Sequence, residues 1–197
     1  MTSRTLIFDV MSTLVVDPFF TEVPIAFGCS IADFVRGHSR SAWPAFERNE
    51  LTEEGFFRQF FGANWRADGD KMRSCITQGY RYIDGIEELL GELNQAAEVR
   101  DCVALSNYPI WFEVLEERLQ LSRYLRHSYV SYQLGLRKPD PEIYLAVLEH
   151  LGVAAQRCIF IDDRQENCEA ANALGMTGLL FTDVSALRAE LTALAIL

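Results

Sequence analysis

The chain has 197 residues, of which 49% are hydrophobic and 23% are charged, and its formal net charge is −10. This length is enough for one compact core with a small second domain, and no apolar run approaches the roughly 18 residues that a membrane span requires. Duplex nucleic acid repels so acidic a chain unless basic residues form a local stripe, and the 18 lysines and arginines are scattered.

Short apolar runs alternate with helical patterns over much of the chain. Because this alternation is typical of a sheet covered by helices on both faces, we predict an α/β fold with a Rossmann-like, five-stranded parallel sheet. The predicted strands are residues 5–8, 102–105, 127–130, 158–161 and 178–181, and the predicted helices among and after the last four are residues 110–119, 141–151, 165–174 and 184–197.

The interval from residue 16 to residue 95 breaks the alternation. It is rich in aromatic residues and contains no convincing strand. We therefore predict that residues 16–95 form an inserted, all-helical cap domain, whereas residues 1–15 and 96–197 form the Rossmann-like core domain. The helical patterns in the cap are residues 42–49, 52–61, 70–79 and 83–94.

Polar side chains follow each of the first four predicted strands. Ligands of open parallel sheets bind at the carboxyl ends of the strands, so these side chains are expected to meet at one edge. Each of them alone has an ordinary explanation as a turn or helix-cap residue, but four strand ends together favour a functional site. They are Asp9, Ser12 and Thr13 after the first strand, Ser106 and Asn107 after the second, Lys138 after the third, and Asp162 and Asp163 after the fourth.

This combination of side chains suits phosphoryl transfer. Carboxylates gathered at one point repel each other unless a cation lies between them, and ligand sets made only of oxygen favour Mg²⁺. Lys138 and Mg²⁺ would neutralise a phosphate, Ser106 would donate a hydrogen bond to it, and Asp9 could attack phosphorus to form an aspartyl-phosphate. We predict a Mg²⁺-dependent phosphomonoester hydrolase that acts on a small organic phosphate.

Four segments resemble the four motifs of the haloacid dehalogenase superfamily, in the same order and with the same spacing. The third segment has the KPDPxxY form of the subfamily that carries a helical cap after the first motif. The resemblance covers the whole chain and implies a phosphatase with that fold. The segments are residues 8–14 (FDVMSTL), 104–107 (ALSN), 137–144 (RKPDPEIY) and 159–167 (IFIDDRQEN).

The resemblance implies a role for each matching residue. Asp9 would be the nucleophile and a Mg²⁺ ligand, and Met11 would offer its backbone carbonyl to the metal. Asp163 would bind the metal directly, and Asp162 directly or through water. Phosphate binding would fall to Ser12, Thr13, Ser106, Asn107 and Lys138, of which Ser106 and Lys138 would also take part in catalysis.

Met11 departs from the family pattern. The family's phosphatases have a second aspartate at this position, which acts as general acid and base, and methionine cannot transfer a proton. Such help is typically worth about 10²–10⁴-fold in rate. A cap residue, a metal-bound water or the substrate itself would have to supply the proton instead. Ser12 also replaces the usual glycine of the motif.

Two alternative functions stay open at this point. Dehalogenases of the superfamily also lack the second aspartate, and they share the Ser106-Asn107 pair, but they lack an acidic pair like Asp162-Asp163. The other alternative is a catalytically weakened domain that binds a phospholigand, and Met11 is the reason to consider it.

A narrower resemblance concerns plant chloroplast proteins of the superfamily that hydrolyse flavin mononucleotide (FMN). The shared stretches are residues 9–13, 17–20 and 106–111, and the relatives also have methionine at the position of Met11. This resemblance implies FMN or a similarly bulky phosphate as substrate, and cap aromatics could stack on its isoalloxazine ring.

The remaining features indicate an ordinary reducing compartment. The five cysteines form no CxxC pair, so we expect reduced thiols and no zinc site. The chain passes directly into the apolar run that ends in Asp9, which is not the pattern of a signal peptide, so the cytoplasm is the expected location. We expect a monomer or homodimer that binds a small-molecule phosphate ester and neither nucleic acid nor membrane.

Overall fold

Five parallel strands form the central sheet, and the computed structural model describes residues 3–197. The strand order is β3-β2-β1-β4-β5, and all four neighbouring pairs are parallel. The predicted fold class is therefore confirmed. The strands are β1 (Arg4–Phe8), β2 (Val99–Ser106), β3 (His127–Val130), β4 (Cys158–Asp162) and β5 (Thr177–Leu180).

Both faces of the sheet are covered by helices. Alternate residues of a strand point to opposite faces, so Leu6 and Phe8 of β1 join one hydrophobic cluster and Ile7 joins the other. This burial on both sides explains why the strands read as continuous apolar runs. The helices on the core are α6 (Ile86–Leu93), α7 (Phe112–Leu119), α8 (Ser131–Leu134), α9 (Pro141–Leu151), α10 (Gln165–Ala173) and α11 (Val184–Ala193).

Five helices between β1 and α6 form the cap, and their aromatic side chains pack on one another. Phe46 and Phe56, for example, stack with ring centroids 4.7 Å apart. The first two cap helices were not predicted, because α1 contains Pro24 and α2 has only six residues. The cap helices are α1 (Pro18–Phe27), α2 (Ile31–Arg36), α3 (Ala42–Glu47), α4 (Glu53–Phe61) and α5 (Trp65–Gly79).

The limit between cap and core falls near α6. This helix lies within the predicted cap range 16–95, but it packs on β2 and α11, and Arg188 of α11 forms an ion pair with Glu92 of α6. We therefore propose that α6 belongs to the core, although the predicted cap range of residues 16–95 includes it.

Helix ends differ from the predictions where the backbone enters the left-handed region. The final helix ends at Ala193 instead of continuing to the last residue, and Ala195 beyond it has φ of 53°. The third cap helix ends at Glu47, shortly before Asn49, whose φ is 60°. Non-glycine residues reach such angles in turns and not within helices.

All five cysteines are free, as predicted. Within residues 3–197, none of the helices has the length and apolar character that crossing a membrane would require.

Candidate active site

The carboxyl end of β1 leads into a tight loop that fixes Asp9. The backbone N–H groups of Leu14 and Val15 both donate to the carbonyl of Val10, at 2.9 Å each, and Ser12 takes a left-handed conformation with φ of 61°. The backbone N–H of Asp9 donates to the carbonyl of Ile161 in β4, at 2.8 Å. Asp9 is thereby held beside the end of β4, where the acidic pair lies.

Lys138 lies at the centre of the site, with only 2% of its surface exposed. Its Nζ donates to Asp9 Oδ1 at 2.6 Å, to Asp162 Oδ2 at 2.7 Å and to the carbonyl of Leu105 at 2.7 Å. Burial alone would lower the pKa of Lys138, but Asp162 and Asp9 outweigh it and raise this pKa above its ordinary value. The ammonium group therefore stays charged and uses all three of its protons within the protein.

Asp162 holds both Lys138 and the loop that follows β4. Its carboxylate is fully buried and accepts from the backbone N–H of Arg164 at 2.9 Å and from Nδ2 of Asn167 at 2.9 and 3.0 Å. The sequence pattern assigned no role to Asn167 alone, although this residue fixes both oxygens of Asp162.

Three carboxylates meet at this edge of the sheet. Oxygens of Asp9, Asp162 and Asp163 all lie within 4.8 Å of one another. Burial raises the pKa of Asp9 to about 7, with Lys138 opposing and Asp162 adding to the rise, and burial and Asp162 also raise the pKa of Asp163. The site therefore gathers more negative charge than one ammonium group compensates.

This donor set fits a hard divalent cation such as Mg²⁺. Asp163 is exposed, so its oxygens can be reached from the cavity. The carbonyl of Met11 accepts no hydrogen bond from residues 3–197, which leaves it available as a third oxygen ligand beside Asp9. The three predicted carboxylate ligands are thus brought together, and one of them, Asp162, is already engaged by Lys138.

The residues predicted to bind phosphate fall into two groups. Ser106 Oγ is buried and has no hydrogen-bond partner within the described part of the chain, as expected of a group that waits for a ligand. Thr13 is fully buried, and its hydroxyl donates to Asp9 Oδ2 at 3.3 Å, so it helps to orient Asp9. Asn107 donates to the carbonyl of Lys138 and accepts from its N–H, at 2.8 Å each, and so fixes the lysine loop.

A cavity of about 460 Å³ opens above these groups, in the size range typical of small-molecule sites. Asp9, Met11, Ser12, Lys138 and Asp163 line its acidic end. Four aromatic residues, which we call the aromatic wall, line the same cavity: Phe19, Phe20, Trp43 and Tyr108. The cavity is completed by Asp17, Glu47, Asn107, Arg137, Arg164 and Asn167.

Neighbouring rings of the aromatic wall touch one another. Phe19 lies 5.4 Å from Phe20 and 6.0 Å from Trp43, and Trp43 lies 6.1 Å from Tyr108, measured between ring centroids. Phe20 has 60% of its surface exposed and is thus available to contact a ligand. The cavity therefore joins an acidic end to a surface suited to a planar organic group.

Two further acids line the cavity, and sequence reasoning missed both as site residues. Glu47 accepts from Arg137 Nη2 at 3.1 Å and from Trp43 Nε1 at 2.5 Å. Asp17 accepts from the backbone N–H of Phe19 at 2.9 Å, which makes it the N-cap of α1. Its place before Pro18 could have revealed the helix start, but the sequence carries no signal for its proximity to the acidic end.

The one lysine of the cap, Lys71, lies outside this cavity. Its Nζ sits 4.7 Å from the ring centroid of Phe27 and makes a cation–π contact there. The three histidines also lie elsewhere: His38 stacks on Phe60, and His127 stacks on His150.

A family model and two relatives agree on the family of this chain. Residues 4–175 match the family model of haloacid dehalogenase-like hydrolases. The chain is 42% identical to flavin mononucleotide hydrolase 1 of Arabidopsis thaliana over 191 residues, which are 97% of this chain and 77% of the relative. It is also 30% identical to a sesquiterpene phosphatase of Aspergillus oryzae, over 96% of this chain and 95% of that protein.

Solved structures show the same fold. A haloacid dehalogenase family enzyme from Bacteroides thetaiotaomicron superposes with a TM-score of 0.73 at 19% identity, over 95% of this chain and 99% of that one. A structure of the same enzyme with magnesium and inorganic phosphate gives a TM-score of 0.68 at 19% identity, over 94% and 98% of the two chains. At this level of identity the likeness concerns the fold.

Proposed function

The chain belongs to the haloacid dehalogenase-like hydrolase family and is a phosphatase of that family, and we propose that it hydrolyses FMN through an aspartyl-phosphate on Asp9. The observation that carries the proposal is the buried contact of 2.6 Å between Lys138 Nζ and Asp9, two residues that line the cavity. This contact holds the proposed nucleophile and a cation at one end of a cavity that four aromatic side chains also line.

Asp9 is oriented for attack by its own contacts. Lys138 holds one carboxylate oxygen and Thr13 holds the other, so the side chain is fixed before the substrate arrives. Ser106 would donate to a phosphate oxygen. The carboxylate of Asp9 would form a bond to phosphorus while the bond to the leaving oxygen breaks, and water would then release inorganic phosphate from the aspartyl-phosphate.

The proposed cofactor is Mg²⁺. Asp9, Asp163 and the backbone carbonyl of Met11 would hold it, with Asp162 as a further ligand, directly or through water. Its contribution when bound is to neutralise the charge of the phosphate oxygens. The magnesium of the Bacteroides enzyme and the excess negative charge of this site support the proposal.

FMN is the proposed substrate because both ends of the cavity suit it. An aromatic wall can stack on an isoalloxazine ring, and the acidic end would receive the phosphate. The relative from Arabidopsis, 42% identical, is an FMN hydrolase by name.

The test is release of phosphate and riboflavin from FMN with Mg²⁺, beside a panel of alkyl phosphates and a 2-haloacid. We expect turnover of FMN that a metal chelator removes and that Asp9→Asn abolishes. Asp183→Asn serves as the matched control, because Asp183 is the exposed N-cap of α11 and does not line the cavity. Equal rates for the wild type and Asp9→Asn would contradict the proposal, and chelator-resistant halide release would favour a dehalogenase.

A further inference from the structure

Met11 leaves the reaction without its usual proton carrier. Its side chain is buried in the hydrophobic core, and a thioether has no proton to give. An alkoxide such as the one that leaves FMN is a poor leaving group, so a donor must reach the leaving oxygen. The titratable side chains that line the cavity are the only candidates that the described residues offer.

Most of these side chains are already committed. Lys138 donates all its protons within the protein, and Glu47 is held by the guanidinium group of Arg137. The hydroxyl of Tyr108 pairs with that of Tyr80 at 3.0 Å. Apart from the proposed nucleophile Asp9 and the proposed metal ligand Asp163, the acid of the cavity lining that then remains is Asp17.

We propose that Asp17 is the general acid and base of this enzyme, taking the part that a second aspartate of the nucleophile loop plays in relatives. The proposal rests on the proposed function. Asp17 lines the same cavity as Asp9 and Asp163 and, within residues 3–197, forms no ion pair. As the N-cap of α1 it is fixed by one oxygen, which accepts from Phe19, and this leaves the second oxygen for a substrate.

The surroundings of Asp17 suit proton transfer near neutrality. Burial raises its pKa to about 6, the hydrogen bond from Phe19 opposes this rise, and the charge of Asp163 adds to it. Tyr80 on the cap side and Tyr108 on the core side also lie close enough to Asp17 to interact with it electrostatically. Neither side chain is a cation, so neither offsets the negative charge of Asp17. A carboxyl group in such a setting can carry a proton at the pH of catalysis, as a general acid must.

The chemical steps balance with Asp17 in this role. In the first step Asp9 bonds to phosphorus, the bond between phosphorus and the leaving oxygen breaks, and Asp17 gives its proton to that oxygen. In the second step water attacks the aspartyl-phosphate, Asp17 takes the proton of the water, and the electron pair of the broken bond returns to Asp9. Riboflavin and inorganic phosphate leave, and both aspartates are restored.

The experiment compares two leaving groups in the first turnover. FMN releases an alkoxide that needs a proton, whereas 2,4-dinitrophenyl phosphate releases a stable phenolate that needs none. Asp17→Asn and Asp17→Ser both keep an N-cap acceptor for α1 but cannot carry the proton. We expect each variant to slow the first turnover of FMN by about 10²-fold or more and to leave that of the dinitrophenyl ester nearly unchanged.

Steady-state turnover and a direct titration complete the test. The variants should give a burst of dinitrophenolate and accumulate phosphorylated Asp9, because the second step has lost its base. In the metal-free wild type, the carboxyl ¹³C resonance that Asp17→Asn removes should titrate near pH 6. Asp183→Asn should behave as wild type in every assay.

Three results would overturn the proposal. They are an equal loss of first-turnover rate on both substrates in the Asp17 variants, no loss of that rate on either substrate, and titration of the Asp17 resonance at the ordinary aspartate value. Failure of the proposed function is distinct, since the wild type would then match Asp9→Asn on both substrates and the role of Asp17 would fall with it.

Discussion

At the scale of single residues, the site depends on charges that are buried and compensated. Lys138 neutralises part of the charge of Asp9 and Asp162, and removal of the lysine would leave both carboxylates unpaired in the interior. Asp17 differs, because it forms no ion pair within residues 3–197, and burial and the charge of Asp163 both oppose its ionisation. Its charge should therefore cost stability, which can be measured apart from catalysis.

We expect this cost to appear as a pH dependence of unfolding in the metal-free protein. The pKa of Asp17 is about 6 in the folded state against an ordinary value of 3.8, so the folded state binds the proton more tightly. The stability linked to this proton is fully present below pH 4 and is lost as the pH rises through 6. The pKa difference between the folded and unfolded states corresponds to a change in the free energy of unfolding of about 3 kcal/mol at most.

Urea unfolding of the wild type and Asp17→Asn between pH 4 and pH 8 measures this effect. The variant keeps the cap acceptor and lacks the charge, so its stability should match the wild type at pH 4 and exceed it at pH 8. Asp183→Asn, at an exposed helix N-cap, should show no such divergence. Parallel curves for the wild type and Asp17→Asn would refute the expectation.

The residue scale also shows what the sequence can reveal about a site. Asp9, Ser106 and Asp163 could be singled out because each lies at, or directly after, the end of a buried strand, and the ends of parallel strands meet at one edge. Asp17 and Glu47 could not be found in this way. They belong to cap elements whose positions over the sheet depend on tertiary packing, which no local pattern encodes.

At the scale of elements, β5 and α10 approach each other more closely than a side chain at Gly178 would allow. A Cβ atom there would lie 2.6 Å from the carbonyl oxygen of Cys168, a backbone atom of α10 that cannot turn away. The N–H of Gly178 also donates to Asn172 of the same helix at 2.8 Å. Since α10 begins right after the acidic pair, this contact helps to fix the loop that carries Asp163.

We expect Gly178→Ala to destabilise the protein by about 1–3 kcal/mol, the usual cost of overpacking. The matched control is Gly91→Ala in α6, where a Cβ would meet no atom within 4 Å. Alanine is the better helix former, so this control should raise the free energy of unfolding by up to about 1 kcal/mol. Chemical denaturation of the two variants measures both effects, and similar changes of the same sign would contradict the close approach.

The sequence predicted the strands better than it predicted helix α1, and the difference has a physical reason. Strands β1 and β4 and the second half of β2 are buried on both faces, so they appear as apolar runs whatever their neighbours are. Helix α1 contains Pro24 and has apolar residues on several sides, of which Phe20 and Ile25 are exposed. Its periodicity is therefore weak, and only its cap residue Asp17 with Pro18 marks where it begins.

At the scale of the whole molecule, the cavity exists because the cap is docked on the core. Trp43 and Phe19 come from the cap, whereas Lys138 and Asp163 come from the core, and all four line the same cavity. Cap helix α3 is tied to the core through Glu47, whose carbonyl accepts from Ser131 Oγ at 2.7 Å.

The docking of the cap should depend on the ion pair between Glu47 and Arg137. Glu47 is buried with 5% of its surface exposed, whereas the side chain of Arg137 is 24% exposed. We expect Glu47→Gln to lower the free energy of unfolding by roughly 3 kcal/mol, the lower end for one partner of a buried pair, because Arg137 keeps some water. The matched control, Glu92→Gln, breaks the exposed pair with Arg188 and should cost less than about 1 kcal/mol.

Calorimetry or chemical denaturation of the two variants decides between a docked and an independent cap. Because Glu47 also accepts from Trp43 at 2.5 Å, its replacement should loosen the aromatic wall and raise the KM for FMN more than it lowers kcat. Glu92→Gln should change neither constant. Equal small costs for both substitutions, with an unchanged KM, would mean that the cap does not depend on this pair, and its position would then rest on the aromatic packing around Trp43 and on the contact between Trp111 and Glu53.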